Sequence, residues 1–121
     1  MENQIKILYI DDDETFIDLI KVILSEFKLD IAHNGLEGVS AISNEEYDLV
    51  ITNIQMPILN GIDATKMIRK ISPEIPIIAC TAHDLDEIDI FDDVIKKPII
   101  KKTMIDKIEK VISGNSSVGR V

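Results

Sequence analysis

The segment IKILYIDDDE, residues 5–14, passes from apolar to charged in one step. Ile5 to Ile10 is a β-rich apolar run, and Asp11, Asp12 and Asp13 follow it directly. Behind the aspartates, Phe16, Ile17, Leu19, Ile20, Ile23, Leu24 and Phe27 recur at helical spacing and predict a helix with one apolar stripe. Asp13 or Asp12 is placed to cap its N-terminus.

The alternation of strand and helix continues outward from there. A short strand is expected over Leu29–His33; Gly35 breaks the chain, and Leu36, Val39 and Ile42 mark a second helix. Asp48–Ile54 reads as a central strand, apolar on both faces at Leu49, Val50 and Ile51. Pro57 and the Asn60-Gly61 pair force a turn. Ile62–Ile71 is a third helix with Ile62, Met67, Ile68 and Ile71 on its stripe, and Pro73 and Pro76 punctuate its exit. Ile77–Cys80 is a fourth strand, Asp84–Asp93 is acidic and weakly helical, and Val94-Ile95 is a short fifth strand closed by Lys96, Lys97 and Pro98. Ile100, Met104, Ile105, Ile108, Val111 and Ile112 predict a last amphipathic helix with Gly114 as its C-cap, leaving 115–121 as a flexible tail on a domain of residues 1–114. Strands alternating with helices imply an α/β fold with a parallel sheet and right-handed crossovers. Five strands in a chain this size favour the doubly wound, flavodoxin-like order 2-1-3-4-5.

Composition narrows the function classes. The 121 residues carry a formal net charge of −9. Nucleic acid is bound through Lys and Arg, so an acidic chain is a poor direct partner for DNA or for an anionic membrane, and a divalent cation or a cationic protein surface suits it better. The single cysteine, Cys80, lies in an apolar run and cannot form an internal disulfide. The apolar stretches are strand-length, well short of the roughly 20 residues of a membrane helix, and the N-terminus lacks a signal pattern. A cytoplasmic location is the expectation.

In a doubly wound sheet, ligands bind outside the carboxyl ends of the strands. Standing there are Asp11, Asp12 and Asp13 after the first strand, Asn53 at the end of the third, Thr81 after the fourth and Lys97 after the fifth. Adjacent carboxylates need a counter-charge, and Mg²⁺ supplies it through oxygen ligands while keeping waters that a phosphate can replace. Lysine offers a point charge to phosphate-like oxygens, and the threonine hydroxyl can hydrogen-bond the same group. Positioning and charge neutralisation are most of what phosphoryl transfer requires. The set lacks a nucleophile, because an amide is not nucleophilic in the manner of a carboxylate.

From Ile5 to Ile112 the chain resembles the receiver domain family of response regulators in two-component signalling. The resemblance rests on IKILYIDDDE (5–14), YDLVITNIQMPILNGID (47–63), PIIACTAH (76–83) and KKPI (96–99), in that order. It implies Mg²⁺ held by Asp11, Asp12 and the backbone carbonyl of Gln55, a phosphate site at Thr81 and Lys97, and a cis bond between Lys97 and Pro98, where Pro98 is structural. The phosphoacceptor aspartate of the family falls on Asn53. The aromatic switch residue, three positions before the site lysine, falls on Val94, which has no ring to swing. Thr81 and Lys97 are sixteen positions apart, roughly 6 residues fewer than in typical members, so a shortened fourth helix is expected.

Asn53 admits three readings: a native loss of phosphorylation, an introduced block, or a neutral mimic of a signal. Losing a carboxylate there should weaken Mg²⁺ binding. The partners implied are a histidine kinase or a histidine phosphotransfer protein, with Asp84–Asp93 as a surface for a basic partner. A pseudo-receiver serving only protein–protein interaction is the alternative. No enzyme activity is expected: Asp11-x-Asp13 has a weaker likeness to haloacid-dehalogenase-type phosphatases, and three aspartates after the first strand would repel a flavin phosphate.

Overall fold

Strands β1 (Lys6–Ile10), β2 (Lys28–Ala32), β3 (Leu49–Asn53), β4 (Ile77–Thr81) and β5 (Asp93–Lys96) pair in parallel in the order β2-β1-β3-β4-β5. They belong to a computed structural model that describes residues 4–86 and 89–116. Helices α1 (Glu14–Ile23), α2 (Gly35–Asn44), α3 (Gly61–Ile71) and α4 (Lys101–Ser116) cover the sheet. This is the flavodoxin-like arrangement that the alternation of apolar patterns predicts. β3 and β4 are buried at every position, as their unbroken apolar runs require of central strands.

Side-chain parity divides the core in two. Ile7, Tyr9, Ile51, Ile78, Cys80 and Ile95 pack with Ile17, Ile20, Met104 and Ile108 on one face. Leu8, Ile10, Val50, Ile77 and Ala79 pack with Ile42, Ile68 and Phe91 on the other. Each such aliphatic side chain contributes roughly 1.5–3 kcal/mol by leaving water.

Helix ends follow local chemistry. Asp13, rather than Asp12, caps α1 by accepting from the backbone N–H groups of Thr15 and Phe16. Leu19 does not join the α1 stripe and stays exposed, because Ile17, Ile20 and Ile23 already fill the inward face. Gly35 opens α2, with Asn34 as its cap. Gly114 is not a C-cap: α4 continues through it to Ser116, and no described glycine has the positive φ that a glycine cap adopts. The remainder of the expected tail lies outside the described residues.

The shortened fourth helix expected between β4 and β5 is not formed among the described residues, which run through bends and turns. Path length explains this. Eleven residues separate Thr81 from Asp93. As a helix they would span only about 16 Å. A crossover must rise about 10 Å off the sheet, return along a strand and descend again, roughly 35 Å in all. Chain outside a helix, at up to about 3.3 Å per residue, reaches farther than a helix of the same length. Buried Phe91 and the partly buried Leu85 and Ile90 supply the apolar cover a helix would have given.

Cys80 is fully buried, and burial pushes its thiol up to about 11 from an ordinary value of 9.0. In the unfolded chain the thiol ionises first, so the folded state holds its proton over a wider pH range. The resulting stability is full below about pH 9 and is lost as pH rises through 11. Cys80→Ala should therefore flatten the alkaline fall of folding free energy between those limits by about 2–3 kcal/mol. Urea melts at pH 8 and pH 11 measure it, and parallel curves for parent and variant would refute it.

Candidate functional site

The carboxyl ends of β1, β3 and β4 and the segment after β5 meet at one edge of the sheet. Asp11 is completely buried there, and Asn53 and Thr81 are nearly so. Period two along β1 puts Tyr9 on the same face as Asp11. The Tyr9 hydroxyl donates to Asp11 Oδ2 at 2.5 Å. Asp11 Oδ1 accepts from the backbone N–H of Asp13 at 3.0 Å and from Asn53 Nδ2 at 3.2 Å. Burial first, then the bond to Asp11, raises the Tyr9 phenol far above its ordinary value, so it remains a donor.

Asn53 is the hub. Its Nδ2 donates to Asp11 and, at 3.1 Å, to the Gln55 carbonyl. Its Oδ1 accepts from Lys97 Nζ at 3.2 Å. The surroundings fix the direction of the amide, with two acceptors facing its NH₂ and an ammonium facing its oxygen. Lys97 Nζ also lies 4.0 Å from the centre of the Phe16 ring, a contact worth roughly 1 kcal/mol. The Lys97-Pro98 bond is cis.

Beside Asn53 is a cavity of about 150 Å³ lined by Asn53, Gln55, Thr81, Ala82, His83 and Lys97. Thr81 Oγ1 accepts from the His83 backbone N–H at 3.1 Å. A larger hollow of about 310 Å³ lies between the C-terminal ends of α2 and α3, and none of the predicted site residues lines it. The turn leaving the site contains Ile58 with φ 73, bridged by a bond from the Leu59 N–H to the Pro57 carbonyl. That is a strained γ-turn for a β-branched residue. Gly61 then packs so closely under β3 that a Cβ would collide with the Asn53 backbone oxygen.

Asp11, Asn53, Gln55, Thr81 and Lys97 thus come together. Asp12 is exposed and forms no part of the hydrogen-bonded cluster as described. Val94 packs partly buried against the core, away from this cluster. Three residues of the network escaped the sequence reading as site residues. Tyr9 was legible by parity with Asp11, Phe16 looked like any residue of an apolar stripe, and His83 follows Thr81 by two positions. The acidic run is partly structural: Asp84 bonds Lys96, Asp92 bonds Arg69, and Asp93 bonds Lys107. His33 lies elsewhere, exposed and paired with Glu37 and Glu14.

The family described as "Response regulator receiver domain" matches residues 7–112. This chain belongs to that family. A receiver of this kind has relatives in several contexts. The transcriptional regulatory protein CpxR homolog of Haemophilus influenzae is 34% identical over 120 residues, which is 93% of this chain and 52% of that protein. The chain spans about half the length, or less, of the curated relatives it matches. Among solved structures, the CheY-like receiver domain protein of Methanospirillum hungatei has a TM-score of 0.87 at 26% identity, covering 93% of this chain and 97% of that one. The response regulator TrrA of Thermotoga maritima, solved in complex with Mg(2+)-BeF, has a TM-score of 0.83 at 29% identity, covering 88% and 98%.

Mg²⁺ in such a relative invites a test of fit here. Asp11, Asp12 and the Gln55 carbonyl are hard oxygen ligands of the right kind. In place, however, both oxygens of Asp11 and the Gln55 carbonyl already accept from O–H or N–H donors. Among the described residues, no group of three or more His, Cys, Asp or Glu side chains is positioned to hold a metal ion. As arranged, these oxygens are engaged within the protein, and a divalent cation would have to displace their donors.

Proposed function

We propose that this receiver is a module of a two-component phosphorelay signal transduction system in which phosphorylation at position 53 is lost or blocked by Asn53. The carrying observation is that Asn53 makes hydrogen bonds to Asp11, to the Gln55 carbonyl and from Lys97. That is the centre of the pocket, where the family's phosphoacceptor aspartate falls, and the residue there is an amide with no nucleophilic oxygen. Asp11, Asp12 and the Gln55 carbonyl are the metal positions, Thr81 and Lys97 the phosphate positions, and Mg²⁺ binding is weakened. The chain acts in the cytoplasm, catalyses no reaction of its own, and docks a histidine kinase or a histidine phosphotransfer protein rather than nucleic acid or membrane. A basic partner surface meets Asp84–Asp93.

A pseudo-receiver that serves only protein–protein contact is the second reading, favoured by Val94 in place of a movable ring and by a β4–β5 crossover that forms no helix among its described residues. Intact mass after incubation with Mg²⁺ and acetyl phosphate separates the two. Asn53→Asp is expected to gain one labile phosphoryl group, its carboxylate attacking phosphorus as acetate leaves, while the parent gains none. A variant that stays unmodified supports the interaction-only reading. A parent that gains the group means that the acceptor lies elsewhere.

A further inference from the structure

We infer that the Asn53 amide nitrogen stands in for the divalent cation, so that this site is closed without metal. The inference rests on the receiver reading for where a cation would sit, and otherwise on geometry. Asn53 Nδ2 bridges Asp11 Oδ1 and the Gln55 carbonyl, two of the oxygens to which that reading assigns the metal. The Tyr9 hydroxyl donates to the other oxygen of Asp11.

Rotating the amide cannot open the site. A cation would need Oδ1 turned toward it, and this rotation would point the NH₂ at Lys97 Nζ, which now donates to Oδ1. Two donors would then face each other. A carboxylate at this position escapes the conflict, because both of its oxygens accept: one can take the cation while the other keeps Lys97. The amide can satisfy the ammonium or the cation, but not both. Here it is committed to the ammonium, which the Phe16 ring also holds. A cation entering must break two bonds to Nδ2 and displace a buried phenol, with no carboxylate gained in exchange.

The test is a Mg²⁺ titration of the whole chain, parent and Asn53→Asp, followed by calorimetry and by backbone amide NMR shifts at residues 11–13, 53–55 and 81–83. The variant should bind at least about 100-fold more tightly, the worth of two lost hydrogen bonds to charged or carbonyl acceptors. The parent should show no saturation at millimolar Mg²⁺. Equal affinities within about threefold would overturn the inference.

A second readout needs no variant. The Asn53 side-chain NH₂ in the parent should resist solvent exchange and keep its shift when Mg²⁺ is added. Rapid exchange, or a shift that follows the metal, would overturn the inference even if the variant failed to fold. Either failure would leave kinase docking and the acetyl phosphate result untouched, so it is distinguishable from failure of the proposed function.

Discussion

Gly61→Ala is expected to destabilise the receiver by about 3 kcal/mol or more, well beyond an ordinary surface substitution. The added methyl would meet the Asn53 carbonyl oxygen, the Asn53 carbonyl carbon and Ile54 Cα. All three are backbone atoms, so no rotamer change relieves the clash. β3 is paired on both sides, to β1 and to β4, and cannot slide away. Gly61 also donates its N–H to the Ile54 carbonyl at 2.8 Å, which ties α3 to the strand end. Separating the two would move Asn53 and break its bonds to Asp11 and Lys97. Gly114→Ala is the matched control. A Cβ there meets nothing within 4 Å, inside a helix, so the same chemical change should be neutral or stabilising by a few tenths of a kcal/mol. Urea denaturation of both variants decides the matter. A loss below about 1 kcal/mol for Gly61→Ala would mean that β3 and α3 adjust more freely than their packing implies.

The two positions also show what a sequence discloses. Gly61 was legible as a turn signal beside Asn60, but its close approach to Asn53 depends on how α3 lies under β3. The strands were legible because Leu49-Val50-Ile51 and Ile77–Cys80 are apolar at every position, which only burial on both faces explains. The site residues were legible for a topological reason: in a parallel sheet every strand ends at the same edge, so Asp11, Asn53, Thr81 and Lys97 had to converge. A shortened fourth helix was expected from the sixteen-position spacing of Thr81 and Lys97, and among the described residues none is formed. Setting the eleven residues between Thr81 and Asp93 against the path they must cover favours chain outside a helix. The direction of the Asn53 amide was not legible locally, since besides the Gln55 carbonyl two residues on, it is set by Asp11 and Lys97 from two other chain segments.

Arg69→Met should loosen the β4–β5 crossover by about 3 kcal/mol, because Arg69 does there what helix packing does in the other crossovers. Its guanidinium reaches from α3 to the Ile75 carbonyl at 2.6 Å, the Ile90 carbonyl at 2.8 Å and Asp92 Oδ2 at 3.0 Å. The same Asp92 oxygen accepts from the Ile77 N–H at 2.8 Å, so one arginine ties the crossover to the start of β4. Its side chain is only 26% exposed, so water screens these bonds weakly. Methionine keeps the stem and removes every donor, leaving carbonyls and a carboxylate without their cation. Hydrogen exchange should show the Asp92 amide, bonded to the Ile77 carbonyl, losing protection by about 100-fold, while amides in β1 and β3 change far less. Arg69→Lys should not restore it, because one ammonium cannot span acceptors that a planar guanidinium fits. Unchanged exchange in Arg69→Met would assign the anchoring to buried Phe91 instead. The crossover so anchored starts beside Thr81 and His83, which line the cavity, and ends in the strand that leads to Lys97, while Thr81 and Lys97 keep the ladder bond between them, so the loss of protection should stay within the crossover.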